Sequence, residues 1–193
     1  MTTTKRELRK IYLAKRAALG AAELKEKSLR VAERFFDAFD LEKIDYLHSF
    51  LPIARFNELD TRLILHRVWF GHSHIETLVP RVDFERGELE NLKFTPVTEL
   101  VENAWMIHEP SHDETVESAK LDLVLVPLLC FDLEGFRVGY GKGFYDKLLA
   151  NCRADCVKVG LSGFPPVEKI ADVDEYDIRM DFVVTPDELY RFD

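Results

Sequence analysis

A three-layer α/β/α fold on a mostly parallel central sheet is what the sequence predicts, from three observations. Short apolar runs of strand character alternate with longer segments of helical periodicity, the pattern of strands separated by covering helices. The run Leu121 to Val126 is almost continuously apolar, as in a strand buried on both faces. The 193 residues show no internal repeat, low-complexity tract or linker, so the span 1–193 is read as a single domain.

The elements follow in order. Thr4 and Glu7 have capping-box spacing, and Leu8, Ile11, Tyr12 and Leu19 recur with helical period, so a first helix starts at Thr4 and stops at Gly20. A second helix spans about Ala22 to Phe39, with Leu24, Val31, Phe35 and Phe39 inward. A strand from Tyr46 to Leu51 ends at Pro52, and a helix from Thr61 to Phe70 stops at Gly71. Ile75 to Val79 reads as a strand closed by Pro80, Glu88 to Thr95 as an edge strand or hairpin arm, and Val97 to Ala104 as a short helix. After the buried strand come a helix from Phe144 to Leu149 and strands at Val157 to Leu161 and Met180 to Thr185.

Composition narrows the functional classes. The formal charge is −9, which opposes binding to nucleic acid or to an anionic membrane, so an anionic ligand needs a local basic site. No stretch resembles a signal peptide or a membrane span. Three cysteines, Cys130, Cys152 and Cys156, suit a reducing compartment, and no paired histidines flank Cys152 and Cys156 as zinc ligands would. The expectation is a cytoplasmic protein, a monomer or weak homodimer, acting on small molecules.

The candidate site is Arg137-Val-Gly-Tyr-Gly-Lys-Gly-Phe-Tyr-Asp146, between the buried strand and a helix. Glycine permits positive φ and close backbone approach, and successive amide N–H groups form a nest for phosphate oxygens. The helix start adds unpaired N–H groups. Lys142 and Arg137 supply charge, and Asp146 is a carboxylate suited to magnesium. The spacing matches neither the Walker A loop, whose Ser/Thr position is Phe144 here, nor the dinucleotide Gly-x-Gly-x-x-Gly. A turn that only redirects the chain is the alternative reading.

The same residues resemble the 5-formyltetrahydrofolate cyclo-ligase family, also called 5,10-methenyltetrahydrofolate synthetase. The similarity is carried by Leu125-Val-Pro127, Phe131-Asp132, Gly135, Arg137 and Gly139 through Asp146. Further segments agree in order: Lys5-x-x-x-Arg9, Asn57-Glu-Leu-Asp-Thr61, the looser Trp105 to Pro110, and Asp172-x-Asp-Glu-Tyr-Asp177-x-x-x-Asp181 onward to Thr185. Tyr140 stands where many members have arginine, and Phe144 where many have tyrosine.

The resemblance implies a Rossmann-like (NagB/RpiA/CoA-transferase-like) fold and an ATP- and Mg²⁺-dependent cyclisation of 5-formyltetrahydrofolate to 5,10-methenyltetrahydrofolate. It implies ATP contacts from Lys5, Arg9, Arg137, Val138, Gly139, Tyr140, Gly141, Lys142, Gly143, Phe144 and Tyr145, with Lys142, Arg137 and Tyr145 catalytic. Glu58, Trp105 and the segment Tyr140 to Phe144 would meet the folate, and Asp146 and Asp177 would hold Mg²⁺. Lys5 near a helix N-terminus opposes the dipole, which points to an external anion. The rivals are another ATP-dependent phosphotransferase or ligase and a non-catalytic phosphosugar- or nucleotide-binding regulator.

Overall fold

The computed structural model describes residues 3–103 and 106–192. Its helices are α1 (Lys5–Ala17), α2 (Ala21–Ala38), α3 (Arg62–Gly71) and α4 (Phe144–Ala150). Its strands are β1 (Tyr46–His48), β2 (Glu76–Asp83), β3 (Glu88–Lys93), β4 (Leu100–Glu102), β5 (His108–Pro110), β6 (Thr115–Val116), β7 (Leu123–Pro127), β8 (Cys130–Phe131), β9 (Arg137–Val138), β10 (Val157–Leu161), β11 (Phe182–Val184) and β12 (Leu189–Arg191).

Eight strands form one sheet in the order β12-β11-β10-β7-β1-β2-β3-β6. The five from β11 to β2 run parallel, and antiparallel strands close both edges. Alternation along β7 explains the three layers. Leu123 and Leu125 pack with Val31 and Phe35 of α2 and Leu65 and Val68 of α3 on one face. Val124 and Val126 pack with Leu148 and Leu149 of α4 on the other. A strand buried on both faces leaves no place for polar side chains, hence its continuous apolar run.

From β1 the chain moves to β2 on one side and later returns to β7 on the other. The carboxyl ends of β1 and β7 therefore flank the switch point of the sheet, where open α/β sheets hold their ligands. The β8–β9 hairpin follows β7, and α1 packs over it through Leu8 and Tyr12 with Leu129, Cys130 and Val138.

Three local expectations are corrected, and a fourth is resolved between its two alternatives. Val97 to Ala104 is not a helix over its described part: Leu100–Glu102 is β4, paired with β5 in a hairpin that Asn103 closes by accepting from Ile107 N at 3.1 Å. Cross-strand pairing outweighs a weak helical preference there. Gly20 does not stop α1, which is capped at Ala18; it is the N-cap of α2. Pro80 does not close β2, which continues to Asp83 because β1 has already ended at His48 and leaves that edge of β2 open. Glu88–Lys93 is a hairpin arm with β2, and β6 beyond it is the edge. The capping box at Thr4 and Glu7 forms as expected.

Leu125, fully buried at the centre of the sheet, sets a stability test. Leu125→Ala is expected to destabilise the fold by roughly 2–5 kcal/mol in urea denaturation.

Candidate active site

The glycine loop sits on β9, at the carboxyl end of β7, and leads into α4. Gly141 and Gly143 have φ of +87° and +70°, values that side chains rarely adopt. A Cβ on Gly141 would also lie 3.0 Å from Cζ of Arg9, whose Nε donates to Gly139 O at 2.9 Å. Gly139 differs: its φ is ordinary and a Cβ there would meet nothing within 4 Å. Neither strain nor crowding asks for glycine at 139. Lys142 is exposed and makes no hydrogen bond or ion pair with the described residues. Helix α4 runs one residue beyond the expected Phe144 to Leu149, and at seven residues its start contributes only a small dipole.

Beneath the loop lies a buried polar cluster. Tyr140 donates to Oε1 of Glu58 at 2.5 Å and accepts from Nη1 of Arg16 at 2.7 Å. Arg16 Nη2 donates to Leu128 O at 2.9 Å, just past β7. Ile53 N donates to Oε2 of Glu58 at 2.8 Å, in the segment leaving β1. Burial pushes the Glu58 carboxyl up from its ordinary value, against the opposing pull of Arg16, Tyr140 and Ile53 N. Burial, reinforced by Glu58, also raises the Tyr140 hydroxyl, which stays a donor at neutral pH. The Tyr140 ring lies against Phe56 with centroids 5.1 Å apart.

Tyr145 points its hydroxyl inward to Nε2 of His48, 3.3 Å away at the end of β1. Burial raises its hydroxyl as well. His48 is buried, and desolvation holds its imidazole down at about 4, against the opposing effect of Asn91.

The acidic segment after β10 folds back on the same rim. Arg137 is buried; Nη1 donates to Ile178 O at 2.7 Å and Nη2 to Oδ1 of Asp146 at 2.8 Å. Ile178 N donates to that same oxygen at 3.0 Å. Lys5 pairs with Asp177 and with Asp174, the latter at 3.0 Å, so the anion facing this helix start is internal rather than external. Burial works against the Lys5 ammonium, but the two aspartates outweigh it and raise its pKa.

The structure thus gathers Lys5, Arg9, Glu58, Arg137, the loop, Tyr145, Asp146 and Asp177 at one rim. At Val138 the carbonyl accepts from Leu129 N and the side chain packs under α1. Trp105 lies outside the described residues. Arg16 and His48 escaped the sequence reading. The available signal for Arg16 was its place on the apolar stripe of α1, in line with Leu8 and Tyr12.

Among the described residues no three His, Cys, Asp or Glu side chains converge as a metal cluster. Magnesium needs only one or two carboxylates when phosphates and water complete its shell. Asp146 and Asp177, joined through Ile178, fit that sparse donor set: Asp146 Oδ2 and Asp177 Oδ1 accept no hydrogen bond from the described residues.

A model of the 5-formyltetrahydrofolate cyclo-ligase family matches residues 1–186. The chain belongs to that family. It is 33% identical over 138 residues to the 5-formyltetrahydrofolate cyclo-ligase of Escherichia coli K12, covering 70% of this chain and 75% of the relative. The mouse enzyme of the same name is 28% identical, covering 97% of this chain and 96% of its own. The solved structure of Aquifex aeolicus 5,10-methenyltetrahydrofolate synthetase superposes with a TM-score of 0.81 at 31% identity, over 97% of this chain and 92% of that one. The Rossmann-like α/β fold expected of the cyclo-ligase family is therefore the fold found.

Two outcomes follow from the geometry. Gly139→Ala is expected to leave the melting temperature unchanged, whereas Gly141→Ala lowers it, as calorimetry would show. His48 binds its proton less readily folded than unfolded, so stability is lost as pH falls below the unfolded value of 6.5. Between pH 7 and pH 5 this group should remove about 2 kcal/mol, and His48→Gln should flatten that part of the pH profile in urea denaturation.

Proposed function

We propose that this chain binds ATP and 5-formyltetrahydrofolate at the β1/β7 switch point and converts the folate to 5,10-methenyltetrahydrofolate, releasing ADP and phosphate. The observation that carries this reading is the 2.5 Å hydrogen bond between Tyr140 and Glu58. It joins a phosphate-type glycine loop to an acceptor-only carboxylate, which suits the N–H donors along a pterin edge. A simple phosphate sensor has no use for that carboxylate.

The chemistry needs no protein nucleophile. The formyl oxygen attacks the γ-phosphorus, forming an O–P bond as the bond to ADP breaks. The neighbouring folate nitrogen then attacks the formyl carbon and loses its proton, and the C–O bond to phosphate breaks. The protein's task is to align the reacting atoms, offset charge and exclude water.

Lys142, exposed beside Gly141 and Gly143 and without an ion pair among the described residues, meets the γ-phosphate. Gly139 lets the triphosphate approach the backbone, with Arg9 alongside, while Tyr140, Gly143 and Phe144 border both substrates. Arg137 acts from below by fixing Asp146 and Ile178. Lys5 holds Asp177 at the rim. Asp146 and Asp177 would hold Mg²⁺, which offsets phosphate charge when bound. Tyr145, anchored on His48, closes the folate side.

The test is the appearance of methenyl-folate absorbance on mixing purified protein with 5-formyltetrahydrofolate and Mg-ATP. Tight ATP binding without product contradicts the assignment. Lys142→Ala should lower kcat by roughly 100- to 1000-fold with an unchanged melting temperature.

A further inference from the structure

We propose that Arg16 is a positioning residue of this site: by gripping Tyr140 and lying 3.7 Å from Glu58 it holds the two together and so sets the affinity for the folate's pterin ring. The inference rests on the folate reading above.

Arg16 occupies the buried face of α1, where the helical stripe calls for an apolar residue, and is only 5% exposed. A desolvated guanidinium is tolerated only where partners replace water. Here Nη2 meets Leu128 O, Nη1 meets Tyr140, and Nη1 lies 3.7 Å from Oε1 of Glu58. The backbone repeats the link: Asn57 Nδ2 donates to Arg16 O at 2.9 Å, and Asn57 takes a left-handed φ of 45° that turns the chain toward Glu58. The end of α1, the turn bearing Glu58 and the glycine loop are thus pinned at one point.

The groups facing Glu58 are Arg16 from α1, Tyr140 from the loop, Ile53 N from the segment after β1, and Tyr145 from α4. Arg16 is the cation among them. Arg137, the other buried arginine of the rim, is held by Asp146 and Ile178. With Arg16 removed, burial acts on Glu58 with no charge to oppose it. A protonated Glu58 turns one acceptor into a donor and no longer matches two N–H groups. The loop itself carries a neutral tyrosine at 140, so the positive charge comes from α1.

Steady-state kinetics of purified variants across pH test this. Arg16→Met should raise KM for 5-formyltetrahydrofolate about tenfold or more at pH 7, with kcat and KM for ATP within about threefold of the wild type. The folate KM of Arg16→Met should fall again as pH is raised, because a buried carboxyl deprived of its cation ionises only at higher pH, and the same fall should come at a lower pH in the wild type. Arg16→Lys, which keeps the charge, should stay within about threefold of the wild-type folate KM and follow the wild-type pH profile. An unchanged folate KM in Arg16→Met overturns the proposal. So does an equal, pH-independent loss in both KM values and kcat, or a lysine variant as impaired as the methionine one. If Arg16→Met does not fold, Arg16→Gln, which keeps hydrogen-bond donors but loses the charge, carries the same prediction and the same overturning result. Wild-type protein that yields no methenyl product would refute the folate reading itself; wild-type turnover with an unresponsive Arg16 refutes only the positioning role.

Discussion

The hydrogen bond from Tyr140 to Glu58, with Arg16 closing the third side, is the constraint on which the site depends. Its partners lie 82 residues apart in sequence. One belongs to the exit from β1, the other to the loop after β7. The bond ties together the two halves of the switch point, which the Phe56–Tyr140 and His48–Tyr145 contacts also join. Both the carboxyl and the guanidinium are buried, so each depends on its partners to replace water. Removing one partner of such a pair leaves an uncompensated charge and typically destabilises by roughly 3–5 kcal/mol.

A second constraint works at the rim. The acidic segment from Asp172 to Asp177 returns to the start of α1, where Asp172 accepts from Lys5 N at 2.5 Å and Asp177 pairs with the Lys5 ammonium. The next residue, Ile178, bonds to both Arg137 and Asp146. Residues near the two ends of the chain thereby frame one side of the glycine loop. The loop can carry three glycines because it is braced from outside, by Arg9 over Gly139 and Gly141 and by Arg137 under α4.

Much of this was legible in the sequence. The doubly buried β7 announced itself by an unbroken apolar run, and α1 by its capping box. The loop stood out because three glycines, a lysine and flanking charges have few purely structural reasons to occur together. Three kinds of feature were hidden. Short strands such as β4, β8 and β12 owe their conformation to cross-strand partners, which local preference does not encode. Charged side chains look alike in sequence whether they face a ligand or one another. Lys5 and Arg137 read as free cations, yet Lys5 is held by carboxylates brought from a distant segment and Arg137 by Asp146 at the far end of its own loop. Arg16 was missed for the converse reason: an arginine near a helix end usually lies in solvent, and only the fold shows that it points into the core.

The account's central claim is spatial: Glu58 receives the pterin while the glycine loop and Lys142 present the γ-phosphate to the formyl oxygen. A crystal structure with 5-formyltetrahydrofolate and a non-hydrolysable ATP analogue measures this directly. The account predicts pterin N–H groups within hydrogen-bond distance of Glu58, phosphates over Gly139 to Gly143, and the formyl oxygen facing the γ-phosphate beside Lys142. A folate seated away from Glu58, or a γ-phosphate directed away from Lys142, would contradict it.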